Sequence, residues 1–368
     1  MKRRVTIQTI AARAGFHFTT VAEALKNGPR VRTTTREKIQ ALARQMGYVP
    51  DPMLSALSAY RKAIKPPIYH ETLAWVTTHP IRDGWRRDFG TFRDGAAERA
   101  AELGFRLEDF WAKQPGMTSR EASRQLFSRG IRGLLIAPLF AARGHLSLEW
   151  DRFSSVALGY TLTKPRMNAV STTHYRAVIT SMRRLKAAGH RRIGWVSCSI
   201  VDERTDRLWI SGFLSDQGLD ALQSESLFSF RAFEPKAFLA WYHRFLPDAI
   251  VTSCLDANAV EFVDLLRARG CRIPGDLSVA VVNLQKESDL SGVIEPNFLL
   301  GRTAVDLVAR MLQTGEHGVP ERPLLQLIDG SWNEGATIDR RHRRTQAIAA
   351  KRRGKSISPP QKSSIDMG

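Results

Sequence analysis

The chain has 368 residues, 43% of them hydrophobic, and a formal net charge of +19. That length suits one small domain plus one or two larger ones with full cores, and the charge favours an acidic partner, nucleic acid being the simplest. No apolar run approaches the roughly 18 residues that span a membrane. The basic start MKRRVTIQTIAARAG lacks the continuous apolar stretch of a signal peptide.

Segment 5–48 carries the densest pattern. Thr6 can cap a short helix in which Ile7, Ile10, Ala11 and Ala14 share one face. Gly15 suits the left-handed turn out of it, and Val21, Ala24 and Leu25 give a second apolar face over 17–25. Asn27, Gly28 and Pro29 stop that helix. A third starts near Thr33 or Thr34, with Thr34 and Glu37 spaced as a capping box, and turns Ile39, Leu42, Ala43 and Met46 inward before Gly47. Ala11, Gly15 and Val21 have the spacing of a helix-turn-helix. Any small helical subdomain shows similar apolar spacing, so the polar complement decides. Lys2, Arg3, Arg4, Arg13, Lys26, Arg30, Arg32, Arg36 and Lys38 crowd this segment, opposed only by Glu23 and Glu37 before Asp51. Such charge density is a phosphate-binding footprint.

The run Tyr48-Val49-Pro50-Asp51-Pro52 halts the third helix. Residues 53–60 then read as a short, weakly amphipathic helix that Lys65-Pro66-Pro67 ends. Here the chain resembles the lactose/galactose-repressor (LacI/GalR) family of transcription regulators. The resemblance rests on Val5-Thr6-Ile7, Ile10-Ala11, Ala14-Gly15, Thr20-Val21, Leu25, Val31, Thr35-Arg36-Glu37-Lys38-Ile39, Leu42-Ala43 and Gly47-Tyr48-Val49-Pro50. It implies a hinge helix after Pro50 whose leucine, here Leu57, wedges into the minor groove as a dimer bends its operator.

From Glu71 onward short apolar runs alternate with helical stretches. Strands are expected at 73–77, 105–110, 133–137 and 156–159, with helices over 92–103 and 118–128 ended by Gly104 and Gly130. This βαβ repeat signals a mostly parallel sheet covered on both faces. The pattern restarts with helices over 175–188, 209–217 and 257–269 and strands near 193–196, 249–252 and 277–282. A late helix over 300–312 and a strand over 324–328 follow. Two such blocks with returning elements suggest two lobes joined by crossovers, with ligand between them at the carboxyl ends of the strands. This half also resembles the family's effector domain, itself similar to periplasmic sugar-binding proteins. The matching phrases are Gly189-His190-Arg191-Arg192-Ile193, Pro247-Asp248-Ala249-Ile250, Asp256, Pro274-Gly275-Asp276-Leu277-Ser278-Val279 and Leu300-Gly301-Arg302-Thr303-Ala304-Val305.

The expected fold class is α/β: an N-terminal all-α helix-turn-helix domain (1–50), a hinge helix and linker (51–70), and a two-lobe periplasmic-binding-protein-like effector domain (71–338). Lobe 1 is placed at 71–172 plus 284–312 and lobe 2 at 173–283 plus 313–338. The basic tail 339–368 shows no periodicity and reads as disordered, either solvated or touching DNA. It has no leucine heptads, so the tetramer-forming coiled coil of some relatives is not expected. Cys198, Cys254 and Cys271 are odd in number, lack metal-site spacing and fit buried thiols in a reducing cytoplasm. The histidines form no HxxxH or HExxH pair. Neither metal nor cofactor is expected.

A recognition helix enters the major groove by its N-terminal end, where His17, Phe18, Thr19 and Thr20 are exposed positions. The resemblance implies that Phe18, Thr19 and Glu23 face base edges while Thr6, Thr20, Lys26 and Arg30 hold phosphates. Many relatives have serine then arginine where this chain has Ala22-Glu23. A carboxylate cannot read guanine as that arginine does, but it can accept from cytosine N4; Glu23 can equally face solvent or pair with Lys26. Phe18 can pack on a thymine methyl or act as a partly exposed staple. In the effector domain, relatives usually place an arginine where this chain has Trp209, and often an aspartate where it has Asn283. Both changes remove a charge from the sugar clamp, leaving an indole face and an amide. Arg204, Arg207, Asp83, Trp85 and Asp256 complete the candidates, each open to a plain packing or capping role.

These features point to a dimeric, cytoplasmic, sequence-specific regulator of transcription, a repressor responsive to a sugar-like effector. A regulator that has lost ligand response and a sugar-acting enzyme fused to a DNA-binding domain are the alternatives. Against the enzyme, the sequence has no GxSxG, GxxxxGK[ST] or GxGxxG and no evident nucleophile–base set. Replacing Leu57 with alanine is expected to weaken operator binding while the effector lobes stay folded. A mobility-shift titration with unchanged affinity would remove Leu57 from the wedge role.

Overall fold

The computed structural model describes residues 5–25, 31–48, 71–217, 225–253 and 256–339, with 256–261 described by backbone alone. Lys26, Arg30, Leu57, the expected hinge helix and all of the expected tail but Asp339 lie outside these residues. The N-terminal helices are α1 (Ile7–Ala14), α2 (Phe18–Leu25) and α3 (Thr33–Gln45). Thr6 caps α1 in a reciprocal box: its hydroxyl accepts from the Thr9 N–H at 3.3 Å, and the Thr9 hydroxyl accepts from the Thr6 N–H at 2.7 Å. Gly15, at φ 70°, ends α1 and donates its N–H to the Ala11 carbonyl at 3.0 Å. Ile10, Val21, Ala24, Val31, Ile39 and Ala43 form the small core.

The box expected at Thr34 and Glu37 is not formed. Helix α3 begins at Thr33 with Arg32 as a cap that makes no side-chain bond. The buried Val31 side chain sets the entry instead, and Arg36 Nη2 donates to the Val31 carbonyl at 3.0 Å. Gln40 Nε2 reaches across to the Ala24 carbonyl at 2.9 Å, satisfying an acceptor at the end of α2.

The effector domain runs β1 (Glu71–Thr77), α4 (Arg86–Glu102), β2 (Phe105–Trp111), α5 (Ser119–Ser128), β3 (Gly133–Ile136), β4 (Gly144–His145), β5 (Ser154–Leu158), β6 (Leu162–Lys164) and β7 (Asn168–Thr172). It continues with α6 (His174–Ala187), β8 (Ile193–Cys198), α7 (Ser199–Arg204), α8 (Leu208–Gln217), β9 (Leu227–Phe230) and α9 (Pro235–Phe245). Next come β10 (Ala249–Thr252), α10 (Asp256–Arg267), β11 (Ser278–Leu284), β12 (Ser291–Ile294), α11 (Asn297–Thr314), β13 (Leu325–Ile328) and β14 (Ser331–Glu334). The sheet of the first unit has the order β13-β7-β5-β3-β1-β2, all parallel. The second has the order β14-β12-β11-β10-β8-β9, parallel except for β14.

The chain crosses between units after Thr172, Glu295 and Ile328. The second and third crossings correct the boundaries expected at 283/284 and 312/313. Strand β12 pairs with β11 and so belongs to the second unit, while β13 pairs with β7 in the first. Strands β7, β9, β12 and β14 and helix α7 carry little pattern that separates them from loops in the sequence, whereas α9 has helical spacing, with Pro235 in its first turn and Phe238, Trp241, Tyr242 and Phe245 turned to the core; β14, Ser-Trp-Asn-Glu, is mostly polar on an outer edge.

Each sheet is covered on both faces. In the first unit α4 and α11 pack over Leu73, Trp75 and Leu135, and α5 packs over Ala74, Val76 and Leu134. Helices α4 and α11 meet through glycine. A Cβ on Gly301 would lie 1.9 Å from the Phe92 carbonyl oxygen, and one on Gly95 would lie 1.9 Å from that of Phe298. Both clashes are with backbone, so no side-chain rotation relieves them. Gly301→Ala is expected to destabilise the first unit by about 2 kcal/mol; urea unfolding with a midpoint unchanged from the parent would contradict this packing.

Candidate nucleic-acid interface and effector site

The first turn of α2 presents a polar and aromatic face. His17, Phe18 and Thr19 are exposed, and Thr20 and Glu23 are half-buried. His17 Nδ1 lies 2.8 Å from the Thr19 hydroxyl, and the His17 and Phe18 rings are 4.9 Å apart. Phe18 is 52% exposed and stands outside the small core, which fits either a base contact or a partly exposed staple. Thr6 is committed as the cap of α1, with its hydroxyl on the surface. The structure thus groups Thr6 and the α2 candidates on one small domain.

The effector candidates fall on the two units separately. In the first unit Trp85 is 2% exposed and packs against Trp75, with ring centroids 5.9 Å apart. Its main role is core packing. Asp83 is exposed and accepts from Arg86 at 3.2 Å.

In the second unit the candidates gather at the carboxyl ends of adjacent strands β8, β10 and β11. Asn283 is the penultimate residue of β11, inside the strand and not after it as expected, because β11 extends to Leu284. Arg204 ends α7, and Arg207 sits in the corner between α7 and α8, where Asp206 and Arg207 both take left-handed conformations at φ 54° and 59°. Two consecutive non-glycine residues in that region store strain that the surroundings must hold. The Arg207 N–H is held by the Asp202 carbonyl at 2.7 Å. Trp209, in the first turn of α8, is 3% exposed and packs against His174 at 4.7 Å between centroids. Asp256 opens α10 as expected, its side chain lying outside the described set.

Several residues here were not singled out in the sequence. Asp202 is 4% exposed; it accepts from the Ser197 hydroxyl, which in turn accepts from Trp195 Nε1 at 2.9 Å. Burial pushes its carboxyl up to about 6, while hydrogen bonds from Ser197 and Trp195 and the Arg207 charge pull the other way. The buried atoms Asp202 Oδ1, Trp209 Nε1, Ser253 Oγ and Asn283 Oδ1 have no hydrogen-bond partner among the described residues. Buried polar atoms are ordinarily satisfied, so four in one region mark a place suited to an outside donor or acceptor. Nothing in the local spelling of Ser197, Asp202 or Ser253 predicts burial; only the strand register assembles them.

A small helical domain with an exposed recognition turn, joined to α/β units whose polar groups collect at strand ends, has the build of a ligand-responsive DNA-binding regulator. The profile of the lacI family of bacterial regulatory proteins matches residues 6–51, and that of a periplasmic binding protein-like domain matches residues 182–331. The HTH-type transcriptional regulator IpsA of Corynebacterium glutamicum is 24% identical over 366 residues, covering 90% of this chain and 97% of the relative. The regulator AscG of Escherichia coli is 24% identical over 283 residues, covering 74% and 80%. Among solved structures, the CelR–cellobiose complex aligns over 91% of this chain and 100% of its own, at a TM-score of 0.51 and 19% identity. The lac repressor dimer bound to operator and the anti-inducer ONPF aligns over 91% and 99%, at 0.51 and 18%. No described helix is long and apolar enough to cross a membrane.

The raised Asp202 carboxyl gives the fold a pH dependence. An unfolded aspartate titrates near 3.8 and the folded one at about 6, so the folded chain binds the proton more readily between those values. The stability this contributes is present below about pH 4 and lost as pH rises to about 6, by at most about 3 kcal/mol. Asp202→Asn is expected to raise the unfolding temperature relative to the parent at pH 8 and to change it little at pH 4.5. Equal shifts at both values would show that Asp202 is not the titrating group.

Proposed function

We propose that the protein is a dimeric, cytoplasmic repressor whose operator affinity responds to an uncharged, sugar-like effector held at the carboxyl ends of the second unit's strands. The observation that carries the reading is the set of four buried polar atoms without described partners, two supplied by the sequence-nominated residues Trp209 and Asn283. An indole N–H can donate, an amide oxygen can accept and a serine hydroxyl can do either, which matches the alternating donor–acceptor surface of a polyol. With Trp209 and Asn283 at positions that relatives fill with ionisable residues, a neutral ligand fits better than a charged one. The cellobiose in the CelR complex supports the carbohydrate class. Effector control requires only that the ligand bind one arrangement of the regulator better than another.

On the DNA side, Phe18 and Thr19 at the start of α2 are proposed to meet base edges and Thr6 and Thr20 to meet phosphates. Glu23 in place of the usual arginine directs preference away from guanine at its position. The burial of Trp209 against His174 favours a second reading, in which the indole fills the effector position and the regulator acts without ligand.

Titration calorimetry of the full-length protein against a panel of neutral mono- and disaccharides decides between the two. The effector reading expects binding by at least one sugar, weakened about tenfold or more by Asn283→Ala, together with a changed affinity for the duplex recovered by selection from random sequence. Silence across the panel, with selection still returning one operator, would leave the ligand-independent regulator.

A further inference from the structure

The first turn of α2 fixes the hydrogen-bond polarity of its own exposed face. The Val21 N–H donates to the His17 carbonyl at 3.2 Å, so His17 stands at the capping position of that helix. Its imidazole serves as the cap: Nδ1 lies 3.5 Å from the Thr19 backbone nitrogen and 2.8 Å from the Thr19 hydroxyl oxygen. A backbone N–H can only donate. That assigns Nδ1 as the acceptor and the neutral ring as the Nε2–H tautomer. The Thr19 hydroxyl must then be the donor of the 2.8 Å bond, because a hydrogen bond needs one proton between two acceptors.

With its proton spent on His17, Thr19 presents only oxygen lone pairs to an outside partner. Glu23 lies four residues on, hence on the same face of α2, and an ionised carboxylate is likewise an acceptor without a donor. The Glu23 side chain has no hydrogen bond or ion pair among the described residues, and that of Thr19 has none beyond His17. A carboxylate turned to a groove is repelled by the phosphates, and a base amino group is what compensates it there. In the major groove the amino donors are cytosine N4 and adenine N6, whereas guanine and thymine set keto acceptors at the matching places. Four residues of helix rise about 6 Å, nearly two base-pair steps of about 3.4 Å.

Building on the regulator reading above, we infer that this face of α2 selects two amino-bearing bases one or two steps apart, with Thr19 and Glu23 as the acceptors and His17 as the positioning residue that fixes the polarity of Thr19. Glu23 takes cytosine, because adenine sets the N7 lone pair beside its amino group and cytosine sets a C–H there. Thr19 takes cytosine or adenine. A keto base at either position opposes lone pair to lone pair, which is how the face excludes guanine and thymine.

The test is selection of a duplex from random sequence by the full-length protein, then titration of that duplex and its single-base variants with the parent, Thr19→Val, Glu23→Gln and His17→Ala. In the parent, a keto base at either position is expected to weaken binding about tenfold. Thr19→Val is expected to level the bases at one position only, and Glu23→Gln to move the other from cytosine to adenine, which an amide reads through N6 and N7. His17→Ala frees the Thr19 hydroxyl and is expected to level the Thr19 position while leaving the Glu23 position as in the parent. Each readout is a ratio of affinities, so partial unfolding of a variant scales all duplexes alike. Selection that returns no preferred sequence would sink the regulator reading itself. A preferred duplex with guanine or thymine at the Thr19 or Glu23 position, or with no position that responds to the two variants, would leave that reading standing and overturn the acceptor face. A Thr19 position unmoved by His17→Ala would overturn the part given to His17.

Discussion

A parallel sheet sealed by helices on both faces leaves polar chemistry few places to go, and that constraint organises the effector domain. All seven residues of β11 are buried, as are all those of β3, β5, β8 and β10. Their backbone groups are consumed by the ladders, and their inner side chains must pack against apolar neighbours. Polar side chains gather where the ladder stops, although Ser155 and Ser171 lie buried within β5 and β7. Ser197, Asp202, Ser253 and Asn283 sit at or just past such ends, and Asp109 with its arginines sits on an outer edge. The residues proposed to hold an effector lie at those carboxyl ends, because a polar group within the sheet is harder to satisfy.

Placing a carboxylate at a buried strand end has a cost. Asp202 is favoured as a carboxylate by Ser197, Trp195 and the Arg207 charge, but its Oδ1 has no described hydrogen-bond partner, so burial wins and its proton is held to about pH 6. Beside it, the left-handed Asp206–Arg207 corner joins α7 to α8 through a turn of three residues, 205–207.

The N-terminal domain solves the opposite problem. Helices of 8, 8 and 13 residues are too short to be stable alone, so the domain depends on the few fully buried side chains around Ile10, Val21 and Ile39. The Phe18 ring, half exposed at the head of α2, stands outside that core.

Local rules sufficed for much of this. The cap at Thr6, the turn at Gly15, the inward faces of α1 to α3 and the alternation of strand and helix from Glu71 follow from periodicity and from which residues tolerate which backbone angles, and these act over a few positions. Dense motif agreement in the first fifty residues likewise made the DNA-binding class legible, as did the phrases around Gly189 and Pro274 for the effector domain. What tertiary structure alone decided was partnership across long stretches of chain. It placed β12 with β11 and β13 with β7, started α3 from the burial of Val31 and turned Trp85 into the core. It also buried Asp202. Each of those outcomes depends on which distant strand or helix fills the neighbouring space, and short-range pattern carries no information about that neighbour.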